Sequence, residues 1–183
     1  MRCAVAVAPL RAEPRDDAEQ VTQALGGEPL QLERLEDGWA LVRTAYDYPG
    51  WVRAESIEEG EGLLVADAVG TPVEVARGYL GVPYLWGGAS PKGFDCSGLV
   101  TYVFAQLGVA LPHFAAAQWG YGVPVTVAQL QPGDLVFFDD LNHVGIYLGY
   151  DEFIDAPHTG SFVRIDSLAD SWYAAHYVGA RRI

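Results

Sequence analysis

One stretch of this chain has few ways to fold. After Gly93-Phe-Asp, the residues Leu99, Val100, Val103, Phe104 and Leu107 recur at three- and four-residue spacing and Gly108 follows, which predicts a helix over 96–107. Asp95 or Ser97 is placed to cap its start. The first residue of that helix is Cys96, the chain's only internal cysteine. A thiol there meets first-turn N–H groups and the positive end of the helix dipole, both of which favour a thiolate.

The pattern on either side of residue 73 differs. Before it, short apolar runs alternate with turn residues: Val5 to Leu10, 21–25, Pro29-Leu-Gln-Leu-Glu, Gly38-Trp-Ala-Leu-Val and Asp47-Tyr-Pro-Gly-Trp-Val. Such spacing predicts a small all-β barrel over residues 1–60, with Trp39 and Trp51 as packing residues. Residues 61–72, acidic and glycine-containing at their start, read as a connection. From 73 to 183 come a helix over 73–80, the helix at 96–107 and a helical turn at 115–119. Strand-like runs follow at 135–138, 144–150, 153–156, 162–165 and 176–180, which predicts an α+β domain.

The chain has 183 residues, half of them apolar, and a formal net charge of −13. No basic stripe is present, so nucleic acid and anionic membranes are not expected partners. Two cysteines make neither a disulfide framework nor a structural zinc site, and no metal or organic cofactor is expected. The apolar start is cut short at Pro9 and no apolar run is long enough to span a bilayer. The expected location is the cytoplasm, with no membrane insertion; oligomeric state is left open.

A cysteine nucleophile needs a base, and the base an orienting group. His143, in Asn142-His-Val-Gly-Ile-Tyr, opens a strand that can face the helix start. His158, in Asp155-Ala-Pro-His, is the expected partner for its far nitrogen. The Cys96 N–H, with a donor from the region of Tyr84, is expected to stabilise an oxyanion.

Residues 73–183 resemble the NlpC/P60 family of papain-like cell-wall peptidases. The matching runs are Gly81-Val-Pro-Tyr-Leu-Trp-Gly-Gly, Phe94-Asp-Cys-Ser-Gly-Leu-Val, Leu130-Gln-Pro-Gly-Asp-Leu-Val-Phe-Phe, His143-Val-Gly-Ile-Tyr, Asp155-Ala-Pro-His and Val178-Gly-Ala-Arg-Arg-Ile. Leu10-Arg-Ala-Glu-Pro, Asp37-Gly-Trp and Gly50-Trp-Val resemble a bacterial SH3-like domain. The resemblance implies Cys96 as nucleophile, His143 as base, His158 as its orienting residue and Tyr84 at the oxyanion site.

Relatives carrying both domains resemble γ-D-glutamyl-L-diamino acid endopeptidases. That implies murein-derived peptides with a free N-terminal L-alanine as substrates, and Asp95, Ser97 and Tyr48 as binding residues. Either Glu13 or Glu19 would add a carboxylate from the SH3-like side. The alternatives are a secreted lytic endopeptidase acting on intact wall, a non-catalytic wall-peptide binding module, and an amidase or acyltransferase on the same scaffold. One departure stands out. Where relatives often carry Pro-Arg-Asp-Ser, this chain has Leu111-Pro-His-Phe-Ala, so His113 replaces an arginine and Ala115 cannot donate a hydrogen bond.

Overall fold

Strand-forming segments dominate the first third of the computed structural model, which describes residues 1–45, 47–62 and 69–183. Five of them, β2 (Val7–Arg11), β3 (Gln20–Leu25), β4 (Leu30–Glu36), β5 (Trp39–Thr44) and β6 (Pro49–Arg53), form one antiparallel sheet in the order β3-β2-β6-β5-β4. The remaining two, β1 (Arg2–Cys3) and β7 (Ile57–Glu58), pair with each other, and Arg2 also bridges to Pro29. Leu10, Ala24, Leu30, Val42 and Val52 supply the buried face. Trp39 and Trp51 are buried and stack under Arg53 and Arg34.

The sheet does not close into a barrel, contrary to the expectation from the sequence. Closure would require β3 to pair with β4, and both are edges. The backbone groups that could join them are engaged elsewhere: Gly27 N donates to Cys3 O, Cys3 N to Glu28 O and Leu30 N to Met1 O. The N-terminal residues therefore occupy the seam. The free side of β3 is covered by the other half of the chain, where Gln23 Oε1 accepts from Ala89 N at 3.0 Å. Covering an edge in this way satisfies its polar groups without closure.

The second half is the expected α+β arrangement. Helix α1 (Pro72–Arg77) begins on a capping box of Thr71 and Glu74 and is shorter than its apolar pattern suggested. A two-stranded turn, β8 (Ala89–Ser90) with β9 (Gly93–Phe94), leads into α2 (Cys96–Gln106), and α3 (Ala115–Gln118) follows. A six-stranded antiparallel sheet is built from β10 (Val123–Val125), β11 (Leu135–Phe138), β12 (His143–Gly149), β13 (Glu152–Asp155), β14 (Arg164–Ser167) and β15 (Tyr177–Arg182). Its order is β10-β15-β11-β12-β13-β14. A short helix α4 (Ser171–His176), absent from the sequence reading, precedes β15. Half of the connection expected at 61–72, residues 63–68, lies outside the described residues.

Helix α2 packs on β12 through Leu99, Val100, Val103 and Phe104, which share a core with Val144 and Ile146. Their burial brings the start of α2 against the start of β12, and so Cys96 toward His143. Gly98 permits the close approach on the other side of the helix. A Cβ there would lie 1.9 Å from the Gly88 carbonyl oxygen and 2.7 Å from His113 Nε2. Backbone cannot yield to that overlap, so no larger residue fits.

The seam between the halves contains Glu28, only 3 % exposed. Its Oε2 accepts from Leu25 N, and its Oε1 has no partner among the described residues. Burial pushes this carboxyl up to about 7, against the opposing effects of the Leu25 hydrogen bond and of His113. Because the folded value lies above the usual 4.5, the fold favours the protonated acid. Stability is therefore expected to fall as pH rises from about 4.5 to about 7, by at most about 3 kcal/mol. Urea unfolding of the parent and of Glu28→Gln at pH 5 and pH 8 tests this: the variant should lose the pH-dependent part of the decline. Identical pH dependence in both proteins would contradict it.

Candidate active site

Asp95 caps α2, with Oδ1 accepting from Gly98 N at 2.7 Å. The same oxygen is 2.8 Å from His113 Nε2 and 3.2 Å from the Ser97 hydroxyl, while Oδ2 accepts from Gly87 N at 2.9 Å. His113 is almost fully buried, and its Nδ1 lies 2.7 Å from Thr22 Oγ1 on β3. One carboxylate thus ties the helix start, the 84–88 loop and, through His113, the N-terminal sheet. The replacement that the sequence marked as a departure has become a bridge between the two halves.

Cys96 stands at the first helical position, part-exposed, with Sγ 3.8 Å from the Asn142 carbonyl oxygen. His143 follows Asn142, and its Nε2 is 2.6 Å from Asp155 Oδ2. Nε2 is thereby occupied, and Nδ1 is the ring nitrogen left for the cysteine side. Burial alone would push the imidazolium down. The hydrogen bonds to Asp155 and Cys96, with their charges, outweigh it and carry His143 up to about 10. A ring that keeps its proton at neutral pH can neutralise a thiolate and later supply a proton.

Asp155, not His158, is the group that holds His143. His158 is exposed and its Nδ1 lies 3.0 Å from the carbonyl of its neighbour Thr159. Strand parity explains the difference. Tyr147 pairs with Phe153 across β12 and β13, so His143, Gly145, Phe153 and Asp155 share one face of the sheet. Gly145 leaves that face open, since a Cβ there would meet the Phe153 ring at 2.5 Å. Position 158 lies past the strand and off that parity. Alternation plus the turn at Tyr150-Asp151 carried enough signal to find Asp155.

A chain of contacts continues behind Asp155. The Tyr173 hydroxyl is 3.0 Å from Asp155 Oδ2 and 2.7 Å from Asp166 Oδ2, and Arg164 Nε donates to that Asp166 oxygen at 2.9 Å. Tyr173 and Asp166 were not singled out from sequence, and no short motif marks them.

Cys96 and His143 line a cleft of about 930 Å³. Tyr84 lines it too; burial, then the charges of Asp95 and Cys96, raise its phenol, so it stays a donor. Ser97, Asp95 and Tyr48 reach the same cleft, the last from the N-terminal sheet. Glu19 stands at the rim and accepts from the Trp86 indole N–H at 2.9 Å. Trp86 is 60 % exposed and lines the cleft, whereas Phe94 is core. Glu13 is exposed, paired with Arg15, and is not among the lining residues.

Residues 81–182 match the NlpC/P60 family, and residues 10–57 match the bacterial dipeptidyl-peptidase SH3 domain. The chain belongs to the NlpC/P60 family. It is 40 % identical over 144 residues to the probable endopeptidase YafL of Escherichia coli K12, spanning 72 % of this chain and 58 % of that protein. It is 43 % identical over 117 residues to the γ-DL-glutamyl hydrolase of Bacillus subtilis, spanning 60 % of this chain and 28 % of that one. A crystal structure of an NlpC/P60 family protein from Bacillus cereus superposes with a TM-score of 0.62 at 26 % identity, covering 99 % of this chain and 62 % of the other. The chain thus spans less than two thirds of the length of these relatives.

The His143 geometry sets a titration. The ring is expected to keep its proton through neutral pH and release it near 10, well above the usual 6.5. Since Asp155 and Cys96 both stabilise the charged ring, Asp155→Asn and Cys96→Ser should each lower the midpoint. Histidine-selective NMR across pH 5–11 reads it directly. A parent midpoint near 6.5, or one unmoved by Asp155→Asn, would contradict the arrangement.

Proposed function

We propose that this NlpC/P60 protein is a cysteine endopeptidase that hydrolyses the bond between γ-linked D-glutamate and an L-diamino acid in short cell-wall peptides with a free N-terminal L-alanine. The observation that carries the reading is the placing of Cys96, His143, Asp95 and Tyr48 around one cleft, with Tyr48 supplied by the N-terminal sheet. The names of the two relatives, an endopeptidase and a γ-glutamyl hydrolase, agree in kind.

In this reading the Cys96 thiolate attacks the γ-glutamyl carbonyl carbon. The oxyanion that forms receives hydrogen bonds from first-turn N–H groups of α2 and from the Tyr84 hydroxyl. The C–N bond then breaks as the His143 imidazolium gives its proton to the leaving amine, and a thioester remains. Water attacks the thioester while His143 takes up its proton, and the freed acid leaves Cys96 as thiolate beside imidazolium. Asp155 holds the ring in place throughout.

Selectivity for the free amine comes from the closed end of the cleft. There the charges of Asp95 and Glu19 both act on the Tyr48 phenol, which burial has already raised. An ammonium between these groups compensates negative charge that is partly removed from water. An acetylated terminus brings bulk and no charge, and leaves the carboxylates without a counterion.

The test is mass spectrometry of products from L-Ala-γ-D-Glu-diaminopimelate and its N-acetyl form. Free diaminopimelate is expected from the first, at a rate at least about tenfold above the second. Cys96→Ala should abolish turnover of both. Equal cleavage of the two peptides would remove the ammonium site and keep the peptidase, whereas tight binding without turnover by the parent would replace the enzyme with a binding module.

A further inference from the structure

Arg164 opens β14 and lines the same cleft as Cys96 and His143. Among the described residues lining that cleft it is the only lysine or arginine. The protein as a whole has 11 basic residues against 24 acidic ones, so a cation there is not a consequence of composition. The guanidinium is also held. Asp166 Oδ2 accepts from Nε and lies 2.9 Å from Nη2, which fixes the side chain and uses two of its five donors. The group is a little over one third exposed, so part of the guanidinium is open to a ligand.

Its end of the cleft can be identified. Asp166 and Tyr173 connect Arg164 to Asp155, and the Tyr173 ring lies 6.1 Å from the His143 ring. Arg164 is therefore on the histidine side of the nucleophile. Tyr48, Trp86 and Asp95 belong to the opposite side, where the N-terminal sheet meets the 84–88 loop. In the peptidase reading, on which this inference rests, His143 protonates the leaving amine. The leaving amino acid must then lie beside Arg164.

We propose that Arg164 is the binding residue for a carboxylate of the departing diamino acid. A planar fork with free N–H groups suits a carboxylate and nothing else the leaving residue carries, since its amines are cationic. Two carboxylates fit this chemistry: the α-carboxylate of any third residue, and the second carboxylate that diaminopimelate has and lysine lacks.

Three peptides separate these sources: L-Ala-γ-D-Glu followed by L-lysine, by L-lysinamide, or by diaminopimelate. The measurement is kcat/KM for each with the parent, Arg164→Gln and Arg164→Lys. If the α-carboxylate is bound, the parent should disfavour only lysinamide, by about tenfold to a hundredfold. If the second carboxylate is bound, the parent should favour diaminopimelate over both lysine peptides by a similar factor. In either case Arg164→Gln should reduce the preference to within about twofold of unity, mostly through KM, and Arg164→Lys should restore part of it.

Equal losses on all three peptides in Arg164→Gln would mean that Arg164 only braces Asp166 and Tyr173, and would overturn the proposal. A parent with no preference among the three would also overturn it. A parent that cleaves none of them would overturn the peptidase reading itself, and this proposal with it.

Discussion

Asp95 is the constraint on which the site depends. A carboxylate beside a helix start is an ordinary cap, but this one gathers four donors from three parts of the chain. Its bond to Gly98 N fixes where α2 begins and therefore where Cys96 stands. Its bond to Gly87 N fixes the loop that carries Tyr84 and Trp86. Its contact with His113 reaches Thr22, so the N-terminal sheet is docked against the same group that positions the Cys96 thiol. Charge-assisted hydrogen bonds of this kind are the stronger ones, and a half-buried carboxylate that lost them would be left poorly solvated. The position of the cleft wall and the position of the thiol are thus set together.

The second fixed point is the buried pair of His143 and Asp155. Placing a carboxylate at 0 % exposure is costly unless its charge is compensated, and here the imidazolium does so. Compensation is incomplete, since Asp155 Oδ1 has no partner among the described residues. Tyr173 is placed between two carboxylates with one hydroxyl proton to give. The shorter contact is to Asp166, which is itself held by Arg164. Arg164 therefore also limits how much negative charge Tyr173 must face on that side. The far end of the cleft and His143 are connected through Asp166 and Tyr173, whose ring also packs among Phe138 and Phe153.

Much of this was legible in the sequence because it rests on short-range pattern. The helix at 96–107 came from apolar spacing, which describes the structure to within a residue, and of the two capping candidates at 95 and 97 the structure uses Asp95. Cys96 and His143 came from the chemistry of a thiol at a helix start and a histidine at a strand start. What could not be read was anything decided by which edges meet. Closure of the N-terminal sheet depended on Met1 to Cys3 filling a seam, and strand spacing says nothing of that. Asp155 against His158 was a question of register, where one position reverses the face of a residue. His113 was noticed only as a missing arginine, because its partners Thr22 and Asp95 are distant in sequence.

The two ends of the cleft differ in sign, and that has a consequence for recognition. At one end Asp95 and Glu19 bear on Tyr48; at the other, Arg164 is the only lysine or arginine among the described residues lining the cleft. A short peptide with a free amine at its start and a carboxylate on its last residue matches this polarity in one direction only. Reversed, it would put ammonium against guanidinium and carboxylate against carboxylate, each of which is penalised where water is partly excluded. Under the proposed function the same charges would disfavour a long polymer, whose chain continues past both ends without presenting either terminal charge. In the proposed reading, direction and length are selected by electrostatics before the Cys96 thiol meets a carbonyl, and the docked N-terminal sheet is what gives the groove an end.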